Sequence, residues 1–325
     1  MLRVTILADK GADIIEILYK PADIDFMWRA PGGLRDTAKH IPTIASALGN
    51  NLDYYEGGWH ESFPGGGPFN WMGSEQGLHG EVALVPWSFV VAEDHAASVA
   101  VILKCRTHRF PCKIEKRIGI RANSPIIAVE ESITNESDQE LEFMWGQHPT
   151  FGKPFLDSNC RIDIPARRFT VCRNFNSPTS FFEPGFQGNW PRTTDKNGNA
   201  VDLRAIPPDG ARSADLLYLD NLEDGWYAVT NTERKLGFGL VWDRTVFPFI
   251  WYWKVFHGLP GYPWWGRTFN IGLEPWTSPS NFATARESGM IRKMKGHETL
   301  RTCFKAVVFE GLTKVSGIDE AGSVV

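Results

Sequence analysis

IIAVEESITNESDQELEFMWGQ, residues 126–147, is the stretch of the sequence that decides the fold class. Its first run, Ile126–Asn135, is rich in β-branched residues that alternate with polar ones, which is typical of a half-buried β-strand. The polar turn Asn135-Glu136-Ser137-Asp138 separates it from a second run, Glu140–Gln147. Strand-like runs separated by short polar turns are typical of a chain built from antiparallel strands.

The same pattern recurs along most of the chain. Further predicted strands are Arg3–Ile6, Ile14–Leu18, Ile24–Trp28, Glu81–Val91, Ser98–Lys104, Ile114–Ile120, Arg161–Ile164, Trp226–Thr230, Gly237–Val241, Phe249–Phe256, Thr268–Glu274 and His297–Phe309. Only Pro42–Leu48 and Asn281–Glu287 are predicted as helices, and both are short. Many closely spaced strands with few helices and no internal repeat predict an all-β antiparallel sandwich or barrel. We expect residues 1–325 to form one domain with a frayed tail at about 317–325.

The composition excludes several classes of function. With 34 Lys+Arg against 38 Asp+Glu the net charge is −4, so the chain has no electrostatic footprint for nucleic acid or an anionic membrane. No apolar run reaches the roughly 18 residues of a membrane span, and the N-terminus runs straight into a strand without signal-peptide features. Five scattered cysteines without a CxxC pair indicate reduced thiols, so we expect a cytoplasmic protein.

Three segments share one local pattern: Gly77-Leu78-His79, Gly146-Gln147-His148 and Gly272-Leu273-Glu274. In each, an ionisable residue follows a glycine by two positions at or near the end of a predicted strand. Residues i and i+2 of a strand share a face, so each glycine leaves a gap beside the His or Glu. Glycine in a strand often marks the close approach of a ligand. A single such histidine is more often a hydrogen-bonded structural residue, and it is the recurrence that favours a site.

This set of groups has a definable chemistry. A carboxylate and an imidazole that face each other across a cleft provide a base and an acid near neutral pH. A second histidine can donate a hydrogen bond to an oxygen that gains charge. The chain also has 13 Trp, whose flat, partly apolar faces suit the C–H face of a sugar ring.

The chain resembles the aldose 1-epimerases, or galactose mutarotase-like proteins. The resemblance is carried, in the family's order, by Gly57-Gly58-Trp59-His60-Glu61-Ser62-Phe63-Pro64, Leu78-His79-Gly80-Glu81-Val82, Gln147-His148-Pro149-Thr150-Phe151-Gly152, Phe249-Ile250-Trp251-Tyr252-Trp253 and Gly272-Leu273-Glu274-Pro275. It implies a twisted supersandwich of two large antiparallel sheets with the site on a concave face. It also implies an enzyme that interconverts the α and β anomers of a free aldose by acid–base ring opening, without an organic cofactor or a metal.

The resemblance assigns roles residue by residue. His148 matches the general acid that protonates the ring oxygen, and Glu274 the base that takes the proton of the anomeric hydroxyl. His79 matches a second imidazole that contacts the sugar, and Asp215 is the best candidate for a carboxylate from the later half, with Asp220 and Asp243 as competitors. Candidate substrate contacts are completed by His60, Glu61, Glu81 and Trp253. Two arginines frequent in the family are missing after Pro64 and Gly80, which argues against a hexose 6-phosphate.

Three other interpretations stay open from the sequence. A carbohydrate-binding protein without catalysis is compatible with the same fold. A glycoside hydrolase requires a second carboxylate beside Glu274, for which Glu61 and Glu81 are candidates. A metal site could use His79, Glu81 and His148, although HxH and HExxH patterns are absent. A small-molecule sugar is the expected partner, and pairing of exposed sheet edges in a homodimer is left open.

Overall fold

The computed structural model describes residues 1–36, 39 and 44–325. The helices are α1 (Gly49–Leu52) and α2 (Phe282–Glu287). The strands are β1 (Leu2–Leu7), β2 (Asp13–Tyr19), β3 (Ile24–Asp25), β4 (Trp59–Ser62), β5 (Phe69–Trp71), β6 (Ser74–Gln76), β7 (Ser88–His95), β8 (Ser98–Arg106), β9 (Cys112–Arg121), β10 (Ile126–Asn135), β11 (Leu141–Phe143), β12 (Gly146–Gly152), β13 (Cys160–Asp163), β14 (Arg168–Val171), β15 (Gln187–Asn189), β16 (Arg192–Thr194), β17 (Ala200–Asp202), β18 (Ser213–Asp220), β19 (Trp226–Asn231), β20 (Leu236–Trp242), β21 (Phe249–Phe256), β22 (Phe269–Trp276), β23 (Arg292–Met294) and β24 (Thr299–Glu310).

Two large antiparallel sheets form the body of the molecule. The first, here called the large sheet, has the order β1-β2-β4-β12-β22-β21-β18-β14-β15, with β3 attached to β2. The second, the small sheet, has the order β13-β19-β20-β24-β10-β9-β8-β7. The prediction of an all-β antiparallel sandwich with few short helices is therefore confirmed. Neither helix of the described residues is long and apolar enough to cross a bilayer.

The main core lies between the two sheets because alternate residues of each strand point inward. From the large sheet, Ile271 and Leu273 of β22 join one continuous buried cluster with Val129 and Ile133 of β10 from the small sheet. Each such aliphatic side chain contributes about 1.5–3 kcal/mol to stability when it leaves water. Gly272 and Glu274, which alternate with Ile271 and Leu273 along β22, therefore face away from the core, on the outer side of the large sheet.

A buried charged network crosses this core. The Lys116 ammonium of β9 lies 2.8 Å from a carboxylate oxygen of Glu61 on β4 and 3.1 Å from one of Glu131 on β10. The second oxygen of Glu61 accepts a hydrogen bond of 2.8 Å from the Trp145 indole, and Glu131 accepts one of 2.8 Å from the Gln147 amide. The network thus fixes the small sheet to the two strands, β4 and β12, that carry His60 and His148.

The pH dependence of stability follows from Glu131. Burial and the neighbouring Glu61 carboxylate raise the pKa of Glu131 to about 8, against the opposing effect of Lys116. The folded state therefore holds a proton that the unfolded chain releases at lower pH, so stability is present at low pH and is lost as the pH rises towards about 8. We expect the free energy of unfolding to fall by on the order of 3 kcal/mol across this range, and Glu131→Gln to remove much of the slope.

Urea unfolding at a series of pH values measures this slope. Glu130→Gln is the matched control, since Glu130 precedes Glu131 on the same strand but is exposed. An equal slope in the wild type and in Glu131→Gln would contradict the prediction.

Two local expectations from the sequence are wrong, and a third lies partly outside the described residues. In the predicted strand Glu81–Val91 only the part from Ser88 is extended, since the backbone N–H groups of residues 84 and 85 bond back to the Glu81 carbonyl in a turn. The predicted helix Pro42–Leu48 begins on residues outside the described ranges, and its described part, residues 44–48, precedes α1. The expected frayed tail folds back on itself, with Ile318 buried and bridged to Val324.

Candidate functional site

A cavity of about 620 Å³ opens on the outer face of the large sheet. Its floor is formed by side chains of β4, β12, β22, β21 and β18, and its walls by residues 48–55, 66–68, 78–79, 174–176, 262–264 and 280–281. This volume lies within the range of small-molecule sites in proteins. The cavity is therefore the candidate active site.

The floor is one transverse row of side chains, fixed by the register of the sheet. His60 and His148 are directly opposite partners on β4 and β12. The register of β12 against β22 sets His148 opposite Glu274. Glu274 is in turn paired with Trp251, and Trp251 with Tyr218. Because opposite residues of antiparallel strands lie on the same face, the row brings together groups that are more than 200 positions apart in the sequence.

The centre of the row is the pair His148 and Glu274. Nε2 of His148 lies 3.2 Å from Oε1 of Glu274. The other carboxylate oxygen accepts a hydrogen bond of 3.0 Å from the Trp276 indole, and Nδ1 of His148 lies 3.3 Å from the Tyr55 hydroxyl. Each group thus has a partner on its far side: Trp276 for Glu274 and Tyr55 for His148. These contacts orient Nε2 of His148 and Oε1 of Glu274 towards each other in the cavity.

Burial determines where the proton of this pair resides. Desolvation raises the pKa of Glu274 to about 8, although the Trp276 hydrogen bond opposes the shift. Desolvation and the nearby His79 lower the pKa of His148 well below its ordinary value. At neutral pH the pair therefore carries one proton, which the free protein keeps on Glu274. The roles implied by the resemblance require this proton to pass to His148 across the 3.2 Å gap.

Two more histidines complete a cluster around His148. The His60 ring stacks on His148 with centroids 4.3 Å apart, and His79, from a turn with φ of 60°, lies edge-on to both at 5.2 and 5.0 Å. Burial lowers the pKa of His79 to about 3 and that of His60 well below its ordinary value. Both His60 nitrogens and Nδ1 of His79 lack a hydrogen-bond partner within the described part of the chain.

Tryptophans form one wall of the cavity. Trp253 and Trp264 lie with ring centroids 5.6 Å apart, and Trp253 is 5.9 Å from the His148 ring. Tyr55 packs against Trp264 at 6.2 Å. Both tryptophans line the cavity.

The structure brings together five of the eight residues that the sequence singled out: His60, His79, His148, Trp253 and Glu274. Three do not line the cavity. Asp215 forms an ion pair of 2.9 Å with Lys254 on the opposite face of β18, because Leu216 and Tyr218 occupy the cavity face. Their positions correct the expectation that Asp215, Glu61 and Glu81 contact the substrate.

The other two carboxylates have structural partners. Glu61 belongs to the core network around Lys116, since it alternates with His60 along β4. Glu81 accepts backbone hydrogen bonds of 2.8 Å from His108 and Arg109. Neither can therefore provide the second carboxylate that a glycoside hydrolase requires beside Glu274.

Sequence reasoning missed Tyr55 and Tyr218. Tyr55 contacts His148, and the Tyr218 hydroxyl donates a 2.9 Å hydrogen bond to the Cys172 sulfur at the edge of the cavity. Tyr55 had one available signal, its position just before the quoted Gly57-Gly58 motif. Tyr218 had none, because the strand that carries it was not predicted.

Comparisons with known proteins define the relatives of the chain. The family described as "Domain of unknown function (DUF4432)" matches residues 1–185, more than half of the sequence. The chain belongs to this DUF4432 family. No curated protein matches the sequence at a significant level.

Solved structures extend the comparison to the fold. A candidate aldose 1-epimerase from Klebsiella pneumoniae is 16% identical, with a TM-score of 0.70 over 95% of this chain and 77% of that one. A galactose mutarotase related enzyme from Lactobacillus acidophilus is 16% identical, with a TM-score of 0.65 over 95% of both chains. A candidate aldose 1-epimerase from Escherichia coli K12 is 15% identical, with a TM-score of 0.63 over 95% of this chain and all of that one.

At this level of identity the likeness establishes the fold of this DUF4432 protein, which is galactose mutarotase-like. The structural neighbours are those that the sequence motifs predicted, and the predicted supersandwich is confirmed.

Proposed function

We propose that this protein is an isomerase of the aldose 1-epimerase type, which interconverts the α and β anomers of a neutral, unphosphorylated sugar. The observation that carries the proposal is the His148–Glu274 pair, whose Nε2 and Oε1 atoms lie 3.2 Å apart on the floor of the cavity. Ring opening needs a base for the anomeric hydroxyl and an acid for the ring oxygen at the same time. The pair provides both.

The proposed reaction moves two protons and no electrons. One member of the pair removes the proton of the C1 hydroxyl while the other delivers its proton to the ring oxygen, so that the C1–O bond to the ring oxygen breaks and an aldehyde forms. Rotation about C1–C2 presents the other face of the carbonyl. Reclosure reverses both transfers and returns the pair to a single shared proton. The carboxyl form of Glu274 and the neutral form of His148 are thus regenerated in each cycle.

The lining of the cavity supports a neutral sugar. Among the described residues, no lysine or arginine lines it. A phosphate group would therefore meet an uncharged or acidic surface, without the bidentate or point-charge partners that bind phosphates in proteins. The indoles of Trp251, Trp253 and Trp264 provide flat apolar faces for a sugar ring. The side-chain amides of Asn51, Asn174 and Asn176 provide hydrogen-bonding groups for its hydroxyls.

A panel of freshly dissolved pure anomers tests the proposal. We expect the wild-type protein to accelerate the change in optical rotation of at least one neutral aldose and to leave the matched 6-phosphates at their spontaneous rates. A sugar that binds without acceleration would support the alternative of a carbohydrate-binding protein. Acceleration restricted to the 6-phosphates would contradict the proposed substrate class.

Trp253 is expected to contribute to binding rather than to chemistry. Trp253→Leu removes a flat face beside His148 and leaves the acid–base pair in place, so we expect the apparent KM to rise by about tenfold with kcat changed by less than about threefold. Steady-state exchange kinetics measure both constants. Trp226→Leu is the matched control, because Trp226 is similarly buried but packs in a cluster that includes Val241 and Val315, outside the cavity. A fall in kcat with an unchanged KM would overturn this role.

A further inference from the structure

Three imidazoles meet at the floor of the cavity. His60, His79 and His148 each place a ring nitrogen within 4.8 Å of the others, and all three side chains are buried. His60 and His148 are held by the register of β4 and β12, and His79 by its turn. Histidine is the commonest metal ligand in proteins, and such a cluster on rigid elements is a candidate donor set.

Glu274 lies beside this group of three histidines. Metal–ligand bonds of 2.0–2.2 Å in a tetrahedral site place neighbouring donor atoms about 3.4 Å apart. Nε2 of His148 and Oε1 of Glu274 are already 3.2 Å apart. The three histidine nitrogens lie within 4.8 Å of one another, so an ion bound between them would draw the His60 and His79 rings closer to His148.

The unsatisfied nitrogens of the cluster also favour a bound ion. Both nitrogens of His60 and Nδ1 of His79 have no partner among the described residues, and His60 is 1% exposed. A buried polar group without a partner costs about 1–3 kcal/mol. A cation that accepts one lone pair from each ring offsets part of that cost. The neutral imidazole is the form that binds metals, and burial keeps all three rings neutral.

The surroundings of the donors match those of metal sites. Histidine ligands usually bond through their second ring nitrogen to another group, and ligating carboxylates are hydrogen-bonded in turn. Here the Tyr55 hydroxyl contacts Nδ1 of His148, and the Trp276 indole donates to Oε2 of Glu274. Nε2 and Oε1 therefore remain directed into the cavity.

We propose that His60, His79 and His148 bind one divalent transition-metal ion of the zinc class. Three histidine nitrogens with a fourth position open form a donor set suited to Zn²⁺ and Co²⁺. The set differs from the one considered from the sequence, since Glu81 is bound to backbone amides and His60 stands in its place. The proposal does not depend on the anomerase activity.

Equilibrium dialysis of chelator-treated protein against Zn²⁺ tests the site directly. We expect one equivalent of Zn²⁺ in the wild type, and at least about tenfold weaker binding in His60→Gln and in His79→Gln. His257→Gln is the matched control, because His257 also lies 3.2 Å from a carboxylate, that of Asp209, but outside the cavity. Circular dichroism confirms that each variant is folded.

Co²⁺ gives an independent readout. Ligand-field absorption of the Co²⁺-loaded wild type reports the number and type of the metal ligands, and His60→Gln is expected to change these bands. Binding of less than about one-tenth equivalent of Zn²⁺ by the wild type, or equal Zn²⁺ binding by the wild type and both cavity variants, would overturn the proposal.

The metal site and the anomerase activity can fail separately. Dialysis does not require turnover, so absence of exchange leaves the Zn²⁺ result untouched. Exchange by a protein that binds no Zn²⁺ would remove the metal site and keep the proposed function. If both proposals hold, Zn²⁺ occupies the imidazole of His148, and the loaded protein is expected to exchange anomers more slowly than the chelator-treated one.

Discussion

Glu274→Gln is expected to slow anomer exchange by about 10²–10⁴-fold, the contribution typical of a positioned acid or base. Glutamine keeps the size of the side chain and can accept the 3.0 Å hydrogen bond from the Trp276 indole. It cannot take up or release a proton. His148 therefore loses the partner with which it exchanges protons during ring opening. The fold and the binding of sugar are expected to be retained.

Exchange rates measured as a function of protein concentration, with thermal unfolding in parallel, test this expectation. Glu81→Gln is the matched control, because it is the same substitution at a glutamate that the sequence also singled out but that lies outside the cavity. It should exchange at close to the wild-type rate. Equal losses in the two variants would show that Glu274 does not act in the chemistry.

Lys116→Met is expected to destabilise the protein by about 3–5 kcal/mol at neutral pH. The substitution removes the only cation within 4 Å of two buried carboxylates of the described chain, Glu61 and Glu131. Breaking a buried ion pair from one side leaves an uncompensated charge in the core, which costs more than the pair itself contributes. The loss should be larger above about pH 8, where Glu131 of the wild type gives up its proton beside Lys116.

Urea unfolding at two pH values measures this loss. Arg3→Met is the matched control: Arg3 pairs with Glu16 at 2.9 Å but is largely exposed, and surface pairs contribute about 1 kcal/mol or less. A Lys116→Met variant less than about 1 kcal/mol below the wild type would contradict the buried network described here.

Regular strands could be predicted from the sequence because alternation is a local property. β10 at Ile126–Asn135 and β21 at Phe249–Phe256 have the predicted bounds. The strands β4 and β18 were missed, since all their residues but Leu216 and Asp220 are buried and the alternation of polar and apolar residues is lost. The strand that carries His60 was therefore absent from the prediction.

The candidate site was predictable where its residues carry a local signal. His79, His148 and Glu274 each follow a glycine by two positions, and all three reach the cavity. Whether a carboxylate faces the cavity or the core depends on its register in the sheet, which the sequence of one strand does not reveal. Asp215 and Glu61 were misplaced for this reason, by one position each.

NMR saturation transfer between the anomeric protons of a neutral aldose tests directly whether the His148–Glu274 pair exchanges anomers. The measurement is made at anomeric equilibrium, with the wild type and Glu274→Gln side by side and binding followed in the same samples. We expect transfer above the spontaneous rate with the wild type, and binding without transfer in Glu274→Gln. Transfer of equal size in both proteins, or binding without transfer in the wild type, would contradict this expectation.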